Sequence, residues 1–201
     1  MEMNQGGLIM KKSLAKKLLG TWKSRTIVGV AIGAALFGVL MNYGGIKVTT
    51  NTSLTSAYVI PAIVGALFGP LPAALSAGLG NCVADLIGGW GFWFDWSFGN
   101  FVTGYFAGLV GAFGADVENG VFTTKHAIIH AVLCIVGCAI GFGLVTPILT
   151  YLWYSSELTI TWVQAQAAII SDASVLIVVG IPVLYALARR NARGTNLSKE
   201  D

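Results

Sequence analysis

Apolar residues gather into six long stretches, at 26–42, 56–69, 71–88, 98–115, 127–153 and 161–188, with short polar connections between them. A membrane-crossing helix needs about 20 mainly apolar residues. The stretches lack the two-residue alternation of a half-buried strand. The second and third are short and meet at Gly69-Pro70-Leu71-Pro72. Two prolines that close together mark a turn better than the interior of one helix. The pattern therefore predicts six helices, with five as the alternative.

Composition agrees with that pattern. Of 201 residues, 55% are hydrophobic and 10% charged, where a soluble domain carries roughly 25% charged residues. Mean hydropathy is +0.75. A disordered chain needs low hydrophobicity and high charge, so that class is excluded. The 26 glycines have no triplet period, which excludes collagen. The expected fold class is an all-α membrane protein, with six transmembrane helices in one bundle across 26–188.

Charge gives the bundle a direction. Lys11, Lys12, Lys16, Lys17, Lys23 and Arg25 precede the first stretch, and Arg189, Arg190, Arg193 and Lys199 follow the last. These are ten of the 12 basic residues. The positive-inside rule places both termini in the cytoplasm, which requires an even number of spans and favours six. Lys125 falls in an inner connection, and Lys47 alone lies outside. Residues 1–25 then form a basic cytoplasmic segment, with Leu14, Leu18, Leu19 and Trp22 near one face of an interfacial helix. Residues 189–201 form a cytoplasmic tail. No basic face with interleaved aromatics is present, so the net charge of +3 does not point to nucleic acid.

The polar chemistry concentrates on the outer side. One outer connection, 43–55, is rich in hydroxyls and turn formers and includes Asn51. Another, 88–97, reads Gly-Gly-Trp-Gly-Phe-Trp-Phe-Asp-Trp-Ser. Trp90, Trp93, Phe94 and Trp96 could form an interfacial belt, as aromatic side chains do at membrane surfaces. A belt needs neither the carboxylate of Asp95 nor the glycines at 88, 89 and 91. The sharper reading is a wall or lid for a planar ligand, since aromatic faces stack flat rings. Asn81 and Asp85 lie one helical turn apart in the third stretch, and Asn100 opens the fourth. Asp172 lies within the last stretch beside Ser171, with Gln164 and Gln166 before it. An ionisable group at such depth holds the bundle together or contacts ligand. Tyr58 completes the set of candidate ligand-binding residues, which is Asn51, Tyr58, Asn81, Asp85, Trp90, Trp93, Asp95, Trp96 and Asn100.

Other features read as structural. His126 and His130 are an i, i+4 pair without an HExxH context, at the inner end of the fifth stretch. Cys82, Cys134 and Cys138 lie inside apolar stretches and are expected to be reduced core thiols. No catalytic triad, nucleotide-binding GxxxxGK[ST] loop or metal cluster occurs, so neither an enzyme nor a resident metal is expected. The first stretch contains Gly29-Val-Ala-Ile-Gly33 and overlapping small residues at four-residue spacing, including Ala31 and Ala35. Such spacing lets helices approach closely, inside the bundle or against a partner. Gly29, Ala31, Gly33 and Ala35 are the candidate docking residues.

Several of these segments together carry a family resemblance. They are Ala-Ile-Gly-Ala-Ala-Leu-Phe-Gly-Val-Leu at 31–40, Ala57-Tyr58, Gly65-Ala-Leu-Phe-Gly-Pro70, and Gly80-Asn-Cys-Val-Ala-Asp85 ahead of an aromatic loop. The chain resembles the substrate-binding S component of energy-coupling factor (ECF) vitamin transporters, in the riboflavin-type branch. The resemblance covers residues 25–193 and is most specific over 27–110. It implies capture of a vitamin at the outer face of a bacterial plasma membrane. It also implies partnership with a transmembrane coupling subunit and two ATP-binding subunits, with ATP used only by those partners and no cofactor of the chain's own. Ala31 and Ala35 would meet the coupling subunit, and the 43–55 connection would gate the ligand. Riboflavin would suit the aromatic loop, and a corrinoid such as cobalamin would suit a wide neutral cavity. The absence of an outer arginine argues against folate or pantothenate. The alternative is a stand-alone secondary transporter. It would want buried acids in both halves, for which Asp85 and Asp172 qualify, and an internal repeat, which is not evident. An intramembrane enzyme and a structural scaffold are the remaining rivals.

Overall fold

Glycine and proline punctuation sets the helix boundaries. In the computed structural model, which describes residues 14–49 and 52–197, α1 spans Ser24–Tyr43. A hairpin follows, β1 at Gly45–Thr49 and β2 at Thr52–Thr55. A single 3₁₀ turn, Ser56–Tyr58, leads into α2 at Val59–Phe68. Gly69 then adopts φ 103°, a conformation favourable to glycine. Pro70 opens α3, Pro70–Gly88, where its missing N–H costs nothing. The Gly-Pro turn thus separates two rods, and among the described residues the bundle from Ser24 onward has six.

The fourth rod, α4, covers Phe94–Gly108 and tightens into a 3₁₀ turn at Leu109–Phe113. The fifth, α5, runs Thr124–Ile140, through a π turn at Gly141–Val145, into Thr146–Tyr154. The sixth, α6, runs Leu158–Val175, through a π turn at Leu176–Gly180, into Ile181–Leu197. Among the described residues, four segments are long and apolar enough to cross a membrane: Leu14–Tyr43, Pro70–Gly88, Thr124–Tyr154 and Leu158–Arg193. The apolar helix Ser56–Phe68 is shorter, and α4 has 15 residues.

One boundary differs from the sequence expectation. The apolar stretch at 98–115 predicts a connection across 88–97, but α4 begins at Phe94. Asp95 lies in its first turn, where a carboxylate favours the positive end of the helix dipole. The Asp85 carboxylate accepts the Trp93 backbone N–H at 3.0 Å and pins the turn that launches the helix. Asp95 and Trp96 are therefore helical residues. At the other end, Gly108, Gly111 and Gly114 weaken helical continuation, and Gly114 turns to φ 97°.

Small residues bring the helices together. A Cβ on Gly80 would lie 2.7 Å from the Phe37 Cβ, and one on Gly104 would lie 2.7 Å from the Ala73 carbonyl oxygen. Only glycine permits α1 to close on α3, and α3 on α4, at these points. The main core gathers Phe37, Tyr58, Phe142 and Leu176, with Phe37 edge-on to Tyr58 at 5.4 Å. A second cluster, including Val110, Val117, Phe122 and Leu184, closes one end of the bundle. There Arg25 pairs with Glu118 at 2.6 Å, and Asn191 donates to the Val117 carbonyl at 2.9 Å. These contacts bring the start of α1, the α4–α5 connection and the end of α6 to one end. Lys23, Arg25, Arg189, Arg190 and Arg193 belong to it. Lys47 sits on the hairpin at the other. Lys11, Lys12 and Lys199 lie outside the described residues.

Residues 14–19 are helical, with Leu14, Leu18, Leu19 and Trp22 exposed. The small-residue pattern of α1 divides between two faces. Gly33 is buried, and a Cβ there would meet Ser76 and Val64 at 3.1 Å. Gly29 is half-buried against the Phe68 ring. These two glycines therefore pack against neighbouring helices of the bundle. Ala31 and Ala35 are exposed, as are the apolar residues Ile27, Val28, Ile32 and Leu36 of the same helix.

His126 caps α5, its Nδ1 accepting the Thr123 backbone N–H at 3.2 Å. His130 is fully buried, with Nε2 3.4 Å from the Cys134 sulfur. None of the three cysteines is in a disulfide. Among the described residues, no three His, Cys, Asp or Glu side chains group as a metal site.

Candidate ligand-binding site

The hairpin end of the bundle encloses a cavity of about 750 Å³. That volume lies in the range of pockets for drug-sized ligands. The cavity is lined from α1 by Met41, from the hairpin by Lys47 and Ser53, and from the entry to α2 by Tyr58. Asn81 and Asp85 come from α3, Trp90 and Trp93 from the α3–α4 turn, and Trp96 and Asn100 from α4. Thr150 of α5 and a stripe along α6 complete it.

The turn between α3 and α4 is built for close curvature. Gly89 and Gly91 have φ 69° and 78°, which a side chain would strain. The two glycines let Trp90 and Trp93 stand at the rim, where both are exposed. Trp93 packs on Tyr154 with centroids 4.9 Å apart, and Trp96 packs on Phe142 at 5.8 Å. Tyr154 ties α5 to the turn, its hydroxyl accepting the Phe94 N–H at 3.2 Å.

Below the rim lies a connected polar network. Tyr58 donates to Asn100 Oδ1 at 2.7 Å. Asn100 donates through Nδ2 to Asn81 Oδ1 and to the Trp96 carbonyl, both at 3.1 Å. Asn81 donates to Ser97 Oγ at 3.1 Å and to Asp85 Oδ2 at 3.4 Å. Tyr58, Asn81, Asp85 and Asn100 are all buried. Partnered groups of this kind fix side-chain positions, because a buried polar group left alone is costly.

Seven of the nine residues singled out from the sequence line this cavity: Tyr58, Asn81, Asp85, Trp90, Trp93, Trp96 and Asn100. Asp95 does not line it. It is fully buried behind the wall, its carboxylate accepting from the Thr150 hydroxyl. Its backbone carbonyl accepts from Thr146 at 3.3 Å, so it joins α4 to α5. Asn51 lies outside the described residues.

The α6 stripe was not among those nine. Glu157, Thr161, Gln164, Ala168 and Asp172 line the cavity. Their spacing of three and four residues is that of one helical face, and this is the signal that finds them. Gln166 is exposed on another face. Thr150 had no sequence signal of its own.

The family model for the ECF-type riboflavin transporter S component matches residues 21–189. The chain belongs to this family. It is thus the substrate-binding component of a transporter and not an enzyme. A UPF0397 protein of Aliivibrio salmonicida is 33% identical over 178 residues, covering 88% of this chain and 97% of the relative. A UPF0397 protein of Aliivibrio fischeri is 32% identical over the same length and coverage. The crystal structure of FolT bound with folic acid is similar in fold, with TM-score 0.56 and 17% identity. That likeness covers 84% of this chain and 95% of FolT. The S-component family and the four long apolar helices together make this a multi-pass membrane protein.

Proposed function

We propose that this S component captures a flat-ringed vitamin of the riboflavin type at the outer face of the bacterial plasma membrane. The observation that carries the reading is the cavity itself: tryptophans at the rim over a buried, hydrogen-bonded polar floor. Trp90, Trp93 and Trp96 stack the ring, and Asn81, Asp85 and Asn100 orient it. All six helices cross the bilayer, with both termini cytoplasmic, because the basic residues gather at the end away from the cavity. The exposed Ala31 and Ala35 face of α1 docks on the coupling subunit, and two ATP-binding subunits drive uptake. The chain needs no cofactor of its own.

A corrinoid such as cobalamin is the second reading, favoured by the exposed rim of Trp90 and Trp93, which offers face area to part of a larger ring. FolT carries folic acid in its crystal structure. Among the described residues lining this cavity, three acids, Asp85, Glu157 and Asp172, face one lysine, Lys47, and no arginine. Such a lining opposes a dicarboxylate.

The test is uptake of riboflavin, and separately of cobalamin, into proteoliposomes. The reading expects riboflavin uptake only with the coupling and ATP-binding subunits and ATP. Uptake by the chain alone supports the stand-alone secondary transporter instead, and uptake of cobalamin alone supports the corrinoid.

A further inference from the structure

The floor of the cavity has committed its donors. Asn100 uses both N–H groups on Asn81 and Trp96, and Asn81 uses both on Ser97 and Asp85. Tyr58 has one hydroxyl proton, given to Asn100 at 2.7 Å. The same hydroxyl stands beside the Asp172 carboxylate, but its single proton serves only one of the two at a time. Ser171 donates to Asp172 Oδ1 at 2.8 Å. A primary amide offers two donors and a hydroxyl one, so none of these side chains has a proton to spare. Acceptors remain in excess, chiefly at Asp172, which is 4% exposed and lines the cavity.

Asp172 also lies far from the mouth. From Glu157, just ahead of α6, it is fifteen residues on, about 22 Å along the helix axis. Uncommitted polar groups such as Lys47 and Ser53 stand near the hairpin. The lining therefore has a polarity, with acceptors at the floor.

We propose that Asp172 is a specificity-determining residue that accepts an N–H or NH₂ donor from the inner edge of the bound ligand. This rests on the reading of the cavity as the vitamin site. For a flavin the donor is the single ring imide N–H, which sets the ring edge down towards α6 and the ribityl chain towards the hairpin. For a corrinoid it is a side-chain amide NH₂.

The experiment titrates the purified full chain with riboflavin, 3-methylriboflavin and cobalamin. Methylation of the imide removes the one ring donor. Wild type is expected to bind riboflavin at least tenfold more tightly than 3-methylriboflavin, the scale of leaving a buried acceptor without its donor. Asp172→Leu is expected to lose that preference, binding both flavins alike, while Asp172→Asn, which keeps an acceptor oxygen, retains most of it. A merely structural role would lower both affinities together and leave their ratio unchanged. Equal binding of the two flavins by wild type overturns this inference alone. If wild type binds only cobalamin, retained affinity in Asp172→Leu overturns the inference, as does an equal loss in Asp172→Leu and Asp172→Asn, and a tenfold loss in Asp172→Leu that Asp172→Asn largely restores supports it. Binding of no ligand overturns both this inference and the proposed function.

Discussion

Asn100→Leu strikes the centre of the polar floor. The substitution keeps side-chain volume nearly constant and removes three hydrogen bonds, one accepted from Tyr58 and two donated, to Asn81 and Trp96. A buried polar group stripped of its partner costs about 1–3 kcal/mol. Tyr58 can swing its proton to Asp172, and the Trp96 carbonyl belongs to a helix that still engages it. Asn81 Oδ1 has no such alternative in the described network. The expected loss is therefore about 2 kcal/mol of ligand affinity or stability, nearer the cost of one stranded group than of three. At about 1.4 kcal/mol per decade, that is roughly thirtyfold in affinity if it falls on binding. The assay is flavin fluorescence quenching in detergent, paired with the thermal midpoint of the unliganded protein. Unchanged affinity together with an unchanged midpoint would refute the claim that this network holds the site.

Trp93→Ala combined with Trp96→Ala removes two ring faces, each pair worth about 0.5–1.5 kcal/mol beyond area, and should weaken riboflavin about tenfold to a hundredfold in the same titration. Ala35→Trp, on the exposed face of α1, should abolish ATP-driven uptake and spare ligand binding; loss of binding too would mean that this face packs within the bundle. Gly80→Leu forces a side chain against Phe37 and should lower the thermal midpoint, since overpacking costs about 1–3 kcal/mol. In a thiol-labelling assay Cys82, which is partly accessible, should react ahead of the buried Cys134 and Cys138.

The helix number was legible because the Gly69-Pro70 break has a local physical cause, a positive φ followed by a residue suited to a helix start. The rim and floor were legible where unusual residue types clustered in sequence, as Asn81 with Asp85 and the tryptophans at 90–96 do. The start of α4 was not. Asp95 looked like part of a loop because it follows aromatic residues and glycines. Its helical place depends on the Asp85–Trp93 bond across the turn and on the Thr150 contact from a segment 55 residues away. The α6 stripe was half-visible: Gln164 and Asp172 stood out as polar residues in an apolar stretch, but Glu157 and Thr161 needed the helix phase to join them. The division of α1 into a packed glycine face and an open alanine face likewise depends on which neighbours surround it.

The most direct measurement of the central claim is a riboflavin titration of the purified chain followed by tryptophan and flavin fluorescence, with mass spectrometry of the small molecules that co-purify. The account predicts saturable quenching at one ligand per chain, moved about tenfold to a hundredfold to higher riboflavin in the Trp93→Ala, Trp96→Ala variant, and a ring-bearing vitamin in the co-purified fraction. No saturable quenching and no such vitamin in that fraction would contradict it.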